Sequence, residues 1–109
     1  MSYFLLKDME AKQPAEGVKI RVIPGERMTM AFFQLEPGVK IPEHAHPHEQ
    51  IGTVLKGSIE LVIGEEKRVV EQGCAYRVPP NVLHSGMCLK TSSEVLEVFS
   101  PPREDLQIG

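Results

Sequence analysis

The chain has 109 residues, with 12 lysines and arginines against 15 aspartates and glutamates and a formal net charge of -3. That length makes one domain, residues 1–109, with a small core that gains from association, so a homodimer is expected. The acidic balance and the lack of any lysine-arginine cluster exclude the electrostatic footprint of a nucleic-acid binder. No apolar run approaches a membrane span, so no nucleic-acid or membrane partner is expected.

In chain order, Tyr3 to Leu6 is too short for the apolar region of a signal peptide, and the cytoplasm is the default location. Short runs rich in β-branched and aromatic residues follow, separated by glycine, proline and charged turns. They predict strands at Val18 to Ile23, Met28 to Leu35, Gln50 to Lys56, Ser58 to Ile63, Arg68 to Val70, Tyr76 to Val78, His84 to Leu89 and Val95 to Phe99. Gly64-Glu65-Glu66 predicts a hairpin between the fourth and fifth of these, and only the segment from Pro101 onward reads as a non-strand tail. Met28, Met30, Phe32 and Leu35 form an apolar stripe at strand spacing that reads as core packing. The fold class is all-β, a sandwich or barrel with little helix and no internal repeat.

Three of the four histidines fall into one arrangement: Gly38, His44, His46, Gln50 and Gly57, followed later by Gly73, Pro79, Asn81 and His84. Side chains alternate along a strand, so residues 44, 46 and 50 share parity and can point the same way. Pro79-Pro80-Asn81 reads as a turn feeding a new strand, from which His84 supplies a fourth ligand. Imidazole nitrogens and an amide oxygen suit a divalent ion, with zinc, nickel, manganese and iron all compatible. His48 shares that parity but follows Pro47, which places it beside the site rather than on the metal. Cys74 and Cys88 read as reduced thiols and not as a disulfide, although Cys88 has the parity of His84 and a cavity-facing thiol stays open.

These two blocks, residues 38–57 and 73–88, resemble the paired motifs of the cupin family. The resemblance implies a small cupin β-barrel, a jelly-roll-like double-stranded β-helix. The first motif of that family most often carries glutamate as its third ligand, where this chain has Gln50 preceded by Glu49 of opposite parity. A narrower resemblance, through His46-Pro47-His48-Glu49-Gln50, Pro79-Pro80-Asn81-Val82 and the tail from Val98 to Asp105, is to the pectin-degradation cupins of the KdgF type. It implies a metal held by His44, His46, Gln50 and His84, with Glu97, Phe99 and Arg103 acting on the substrate. The substrate it implies is a small sugar acid, a 4,5-unsaturated uronate from pectin or alginate lyase action, opened to a linear 5-keto-4-deoxyuronate. Glu97 departs from the aspartate usual at that place, which moves the carboxylate by about one methylene. Arg103 has the planar fork that grips a carboxylate, against the plainer reading of a solvated charge beside Glu104 and Asp105. A non-catalytic module binding a metal or small ligand, and an iron-dependent dioxygenase, stay open as alternatives, because fold does not decide chemistry.

Overall fold

A computed structural model describes residues 2–108. Ten strands form two antiparallel sheets, six strands in the order β1-β2-β3-β10-β5-β8 and four in the order β4-β9-β6-β7. The larger sheet contains β1 (Lys12–Ala15), β2 (Val18–Pro24), β3 (Thr29–Leu35), β5 (Glu49–Lys56), β8 (Ala75–Val78) and β10 (Ser93–Ser100). The smaller contains β4 (Lys40–His44), β6 (Ser58–Ile63), β7 (Glu66–Glu71) and β9 (His84–Cys88). A 3-10 turn at Leu6–Asp8 and one helix, α1 (Glu104–Ile108), are the only helical pieces among the described residues.

The sheets close on each other because each strand turns one parity inward. Val18 and Ile20 of β2, Ala31 and Leu35 of β3, Val54 of β5, Val95 and Phe99 of β10 are buried from one side. Ile59 and Leu61 of β6, Val70 of β7 and Cys88 of β9 meet them from the other, in one cluster. The expected hairpin joins β6 to β7, with Ile63 opposite Glu66. Gly57, at φ +78°, is the single residue between β5 and β6, and so carries the chain from one sheet to the other.

Two strands were not expected, β1 and β4, and each contains a proline, Pro14 and Pro42. Both are edge strands, where a missing N–H costs no ladder bond, and in both the register shifts along the strand. The stripe at Met28, Met30 and Phe32 does not pack in the core. On β3 the other parity faces inward, with Thr29, Ala31 and Leu35 buried, so of the four residues only Leu35 joins the core. Met28, Met30 and Phe32 lie on the outer face of the larger sheet. The tail after Pro101 forms no strand, as expected, but it does not trail away: Leu106 packs against the core and its carbonyl accepts from Lys12 Nζ at 3.1 Å.

Candidate metal centre

His44 and His84 sit directly opposite each other at the end of the β4-β9 ladder, with ring centroids 4.1 Å apart. His46 lies in the connection from β4 to β5, and its ring centroid is 4.9 Å from that of His84. Gln50 enters from the other sheet as the second residue of β5. Convergence therefore comes from two sheets facing each other and not from parity along one strand, since residues 44, 46 and 50 occupy a strand, a loop and another strand.

The three imidazoles are aimed alike. Nδ1 of His44 donates to Pro42 O at 2.9 Å, Nδ1 of His46 to His48 O at 3.1 Å, and Nδ1 of His84 to Val82 O at 2.9 Å. Each bond fixes its ring and leaves Nε2 as the lone-pair nitrogen, the arrangement a metal-binding imidazole requires. One donor atom from each of the three histidines lies within 4.8 Å of the others. His84 is 4% exposed and its Nε2 has no hydrogen-bond partner, a cost that a bound cation would remove. Gln50 completes the set: its amide nitrogen donates to Glu97 Oε2 at 2.6 Å, which turns Oε1 to within 3.1 Å of His46 Nε2. Two lone-pair atoms facing each other at that distance suit a shared cation, so these residues fit a divalent ion. Burial, followed by the charge of Arg103, holds His46 below the ordinary imidazole value. His84 is lowered chiefly by burial, and neutral rings are the ligating form.

Beside this cluster, Glu97 and Phe99 project from the same face of β10. Burial pushes the Glu97 carboxyl above the usual carboxylate range, against the pull of hydrogen bonds from Tyr76 and Gln50. Phe99 is 1% exposed, so its ring belongs to the core as much as to the site, with one side toward His46 at a centroid distance of 5.9 Å. The Arg103 guanidinium lies 4.8 Å over the Phe99 ring and is paired with Asp105 through Nε at 3.1 Å and Nη2 at 2.6 Å. Its backbone N–H donates to Thr29 Oγ1 at 2.9 Å. Arg103 is thus a fixed wall of the cavity rather than a solvated charge, and it holds the Asp105 carboxyl below its usual value.

His44, Gln50, His84, Glu97, Phe99 and Arg103 all line one cavity of about 330 Å3 between the sheets, whose inner part is apolar, with Ile20, Leu35, Ile59 and Leu61. His48 stays beside the cluster, its ring centroid 5.4 Å from that of His46 and its carbonyl holding His46 in place. Cys74 is exposed and Cys88 buried, both as free thiols; Cys88 Sγ turns to Ser93 Oγ at 3.3 Å and Thr91 O at 3.2 Å, away from the cavity lining. The sequence reading missed Tyr76, which donates to Glu97 Oε2, and the Asp105 pairing. Gly52, a glycine inside a strand, was the available signal for Tyr76, because such a glycine marks a close approach by something else.

Two antiparallel sheets enclosing a cavity with a histidine cluster at one end define a jelly-roll barrel able to hold a metal ion. The chain belongs to the cupin family, whose cupin domain model matches residues 31–99. It is 31% identical over 105 residues to the pectin degradation protein KdgF of Dickeya dadantii, covering 94% of this chain and 96% of that protein. Its fold is similar to that of KdgF from Halomonas sp., with a TM-score of 0.91 and 26% identity over 97% of this chain and 98% of the other. An RmlC-like cupin from Shewanella frigidimarina superposes with a TM-score of 0.92 at 24% identity, covering 97% and 96% of the two chains, a likeness of fold alone.

Proposed function

We propose that the protein is a metal-dependent enzyme that opens the ring of 4,5-unsaturated uronates to linear 5-keto-4-deoxyuronates. One observation carries this reading: three imidazole nitrogens and the Gln50 carbonyl oxygen converge beside a desolvated carboxyl, Glu97, in a cavity that Arg103 also lines. The likeness to a pectin degradation protein supports the substrate class.

The divalent ion, held by His44, His46, Gln50 and His84, supplies Lewis acidity toward the charge that develops on substrate oxygen. The remaining work falls to the chain's own groups. Arg103 receives the uronate carboxylate; because Nε and one side of Nη2 are committed to Asp105, the Nη1 side is the part of the fork left for substrate. The Phe99 ring beneath the guanidinium holds it at the cavity wall. Glu97 takes the proton of the anomeric hydroxyl, the bond from the anomeric carbon to the ring oxygen breaks, and its electron pair stays on that oxygen as an enolate. Returning the proton to carbon 4 gives the ketone and regenerates the Glu97 carboxylate, so the reaction is a net isomerisation with no external oxidant.

The test is the ultraviolet absorbance of the substrate's conjugated double bond, followed with metal-loaded protein and an unsaturated galacturonate or guluronate. Loss of the band that a chelator stops is the expected result, and a flat trace with every compatible metal overturns the ring-opening reading in favour of a binding module or a cupin with a different substrate. Arg103→Ala should raise KM by about 10- to 100-fold, the worth of a charge-assisted hydrogen bond, with a smaller effect on kcat. An unchanged KM would remove Arg103 from the carboxylate site.

The proposal extends to assembly and location. A homodimer is supported by the outer face of the larger sheet, where Met28, Ile51 and Leu55 are exposed beside the half-buried Met30 and Phe32. A cytoplasmic location is supported by two free thiols, and no helix among the described residues is long and apolar enough to cross a membrane.

A further inference from the structure

Glu97, Gly52 and Tyr76 stand in one row across three strands, since Gly52 of β5 is paired with Glu97 of β10 on one side and with Tyr76 of β8 on the other. Two strand spacings separate the outer members by about 10 Å, within reach of a tyrosine that lies flat over the middle strand. Only glycine leaves that path open. A methyl group at position 52 would sit 2.6 Å from both Cζ and Oη of Tyr76, well inside any real contact. Laid across the gap, the Tyr76 hydroxyl donates to Oε2 of Glu97, the same oxygen that accepts from the Gln50 amide at 2.6 Å. Among the described residues no hydrogen bond is made to Oε1.

We propose that Tyr76, admitted by Gly52, is a positioning residue that clamps Oε2 of Glu97, so that Oε1 alone meets the substrate and Gln50 keeps its carbonyl oxygen on the histidines. Its bearing on turnover rests on the ring-opening reading, while the clamp itself does not. Tyr76 is buried beside a carboxylate, both of which push its hydroxyl upward from its ordinary value, so it stays a donor. With two donors on Oε2 the carboxylate cannot rotate freely, and the proton leaves and returns through one atom along one direction. A glutamate has one more side-chain torsion to restrain than an aspartate, and the tyrosine restrains it.

The experiment uses the zinc-loaded full chain and reads two signals. In proton NMR, the wild type should show a protected downfield hydroxyl resonance that Tyr76→Phe removes and Glu97→Gln moves. In the ultraviolet assay, Tyr76→Phe should lower kcat by about 10- to 100-fold with KM within about twofold, since the substrate still meets Arg103 and the histidines. Gly52→Ala keeps the tyrosine but fills its path, and should lose the resonance and the same share of kcat. If that variant does not fold, Tyr76→Phe, which deletes one oxygen, stands alone. A wild-type spectrum with no resonance that Tyr76→Phe removes overturns the proposal. So does an active wild type whose Tyr76→Phe variant turns over within twofold of it. Wild type that leaves the absorbance untouched, with the resonance present and lost in Tyr76→Phe, overturns the ring-opening reading and leaves the clamp standing.

Discussion

At Glu97 a carboxyl is held where burial disfavours its charge, and the sign of that effect gives a stability prediction as well as a kinetic one. Its folded value is raised above 4.5, so the cost of the charge is absent below 4.5 and appears as pH rises through the folded value. In metal-free protein at pH 8, Glu97→Gln should therefore melt above wild type, and the difference should shrink as pH falls toward 4.5. The same variant should lose about 100- to 10,000-fold in turnover while still binding metal; undiminished turnover, measured alongside metal content, would remove Glu97 from the chemistry. Glu97, Phe99 and Arg103 were legible as candidates because their spacing matched a family pattern, whereas Tyr76 was not, since a tyrosine in a four-residue strand ordinarily reads as packing. What the sequence could not carry was the row that places Tyr76 and Glu97 on either side of Gly52.

Among the elements, the passage from β5 to β6 rests on Gly57, whose backbone lies in the left-handed region at φ +78°. A methyl group there would also sit 2.5 Å from Ser92 O, so both strain and collision oppose it. Gly57→Ala should destabilise the protein by about 1–3 kcal/mol, read from the denaturant midpoint, and a midpoint equal to wild type would show that the link can rearrange. The eight expected strands all exist because runs of β-branched and aromatic residues are bounded by glycine, proline and charged turns. β1 and β4 were hidden by Pro14 and Pro42, whose meaning depends on whether a strand lies at an edge, a property of the sheet and not of the segment. The β3 stripe failed for a related reason: both parities of that strand carry apolar residues, and only the position of the second sheet says which one is inside.

For the molecule as a whole, the misplaced stripe turns into a prediction. Ile51 and Leu55 of β5 share the outer face of the larger sheet with Met28, Met30 and Phe32, and a second copy of the chain covering that face would bury them. Light scattering should report a dimer for wild type and a monomer for Ile51→Lys, whereas a monomeric wild type would leave the face uncovered. The site imposes a second global property, because its donors are divided between the layers: His44 and His84 belong to the four-stranded sheet and Gln50 to the six-stranded one, with His46 between them. An ion bound there acts as a rivet through two plates that otherwise meet mainly through apolar side chains and, at the far end, through Ser93 Oγ donating to Ser58 O. At a hundredfold excess over its dissociation constant it would add about 2.7 kcal/mol to any opening that parts the layers. Amide exchange in β9 and in β5 should then slow together on metal loading, by up to about 100-fold. Slowing confined to one of them would place the ion within a single layer. The barrel's breathing and its chemistry would share one fastening, so that a loss of metal loosens the walls of the cavity at the moment it silences the site.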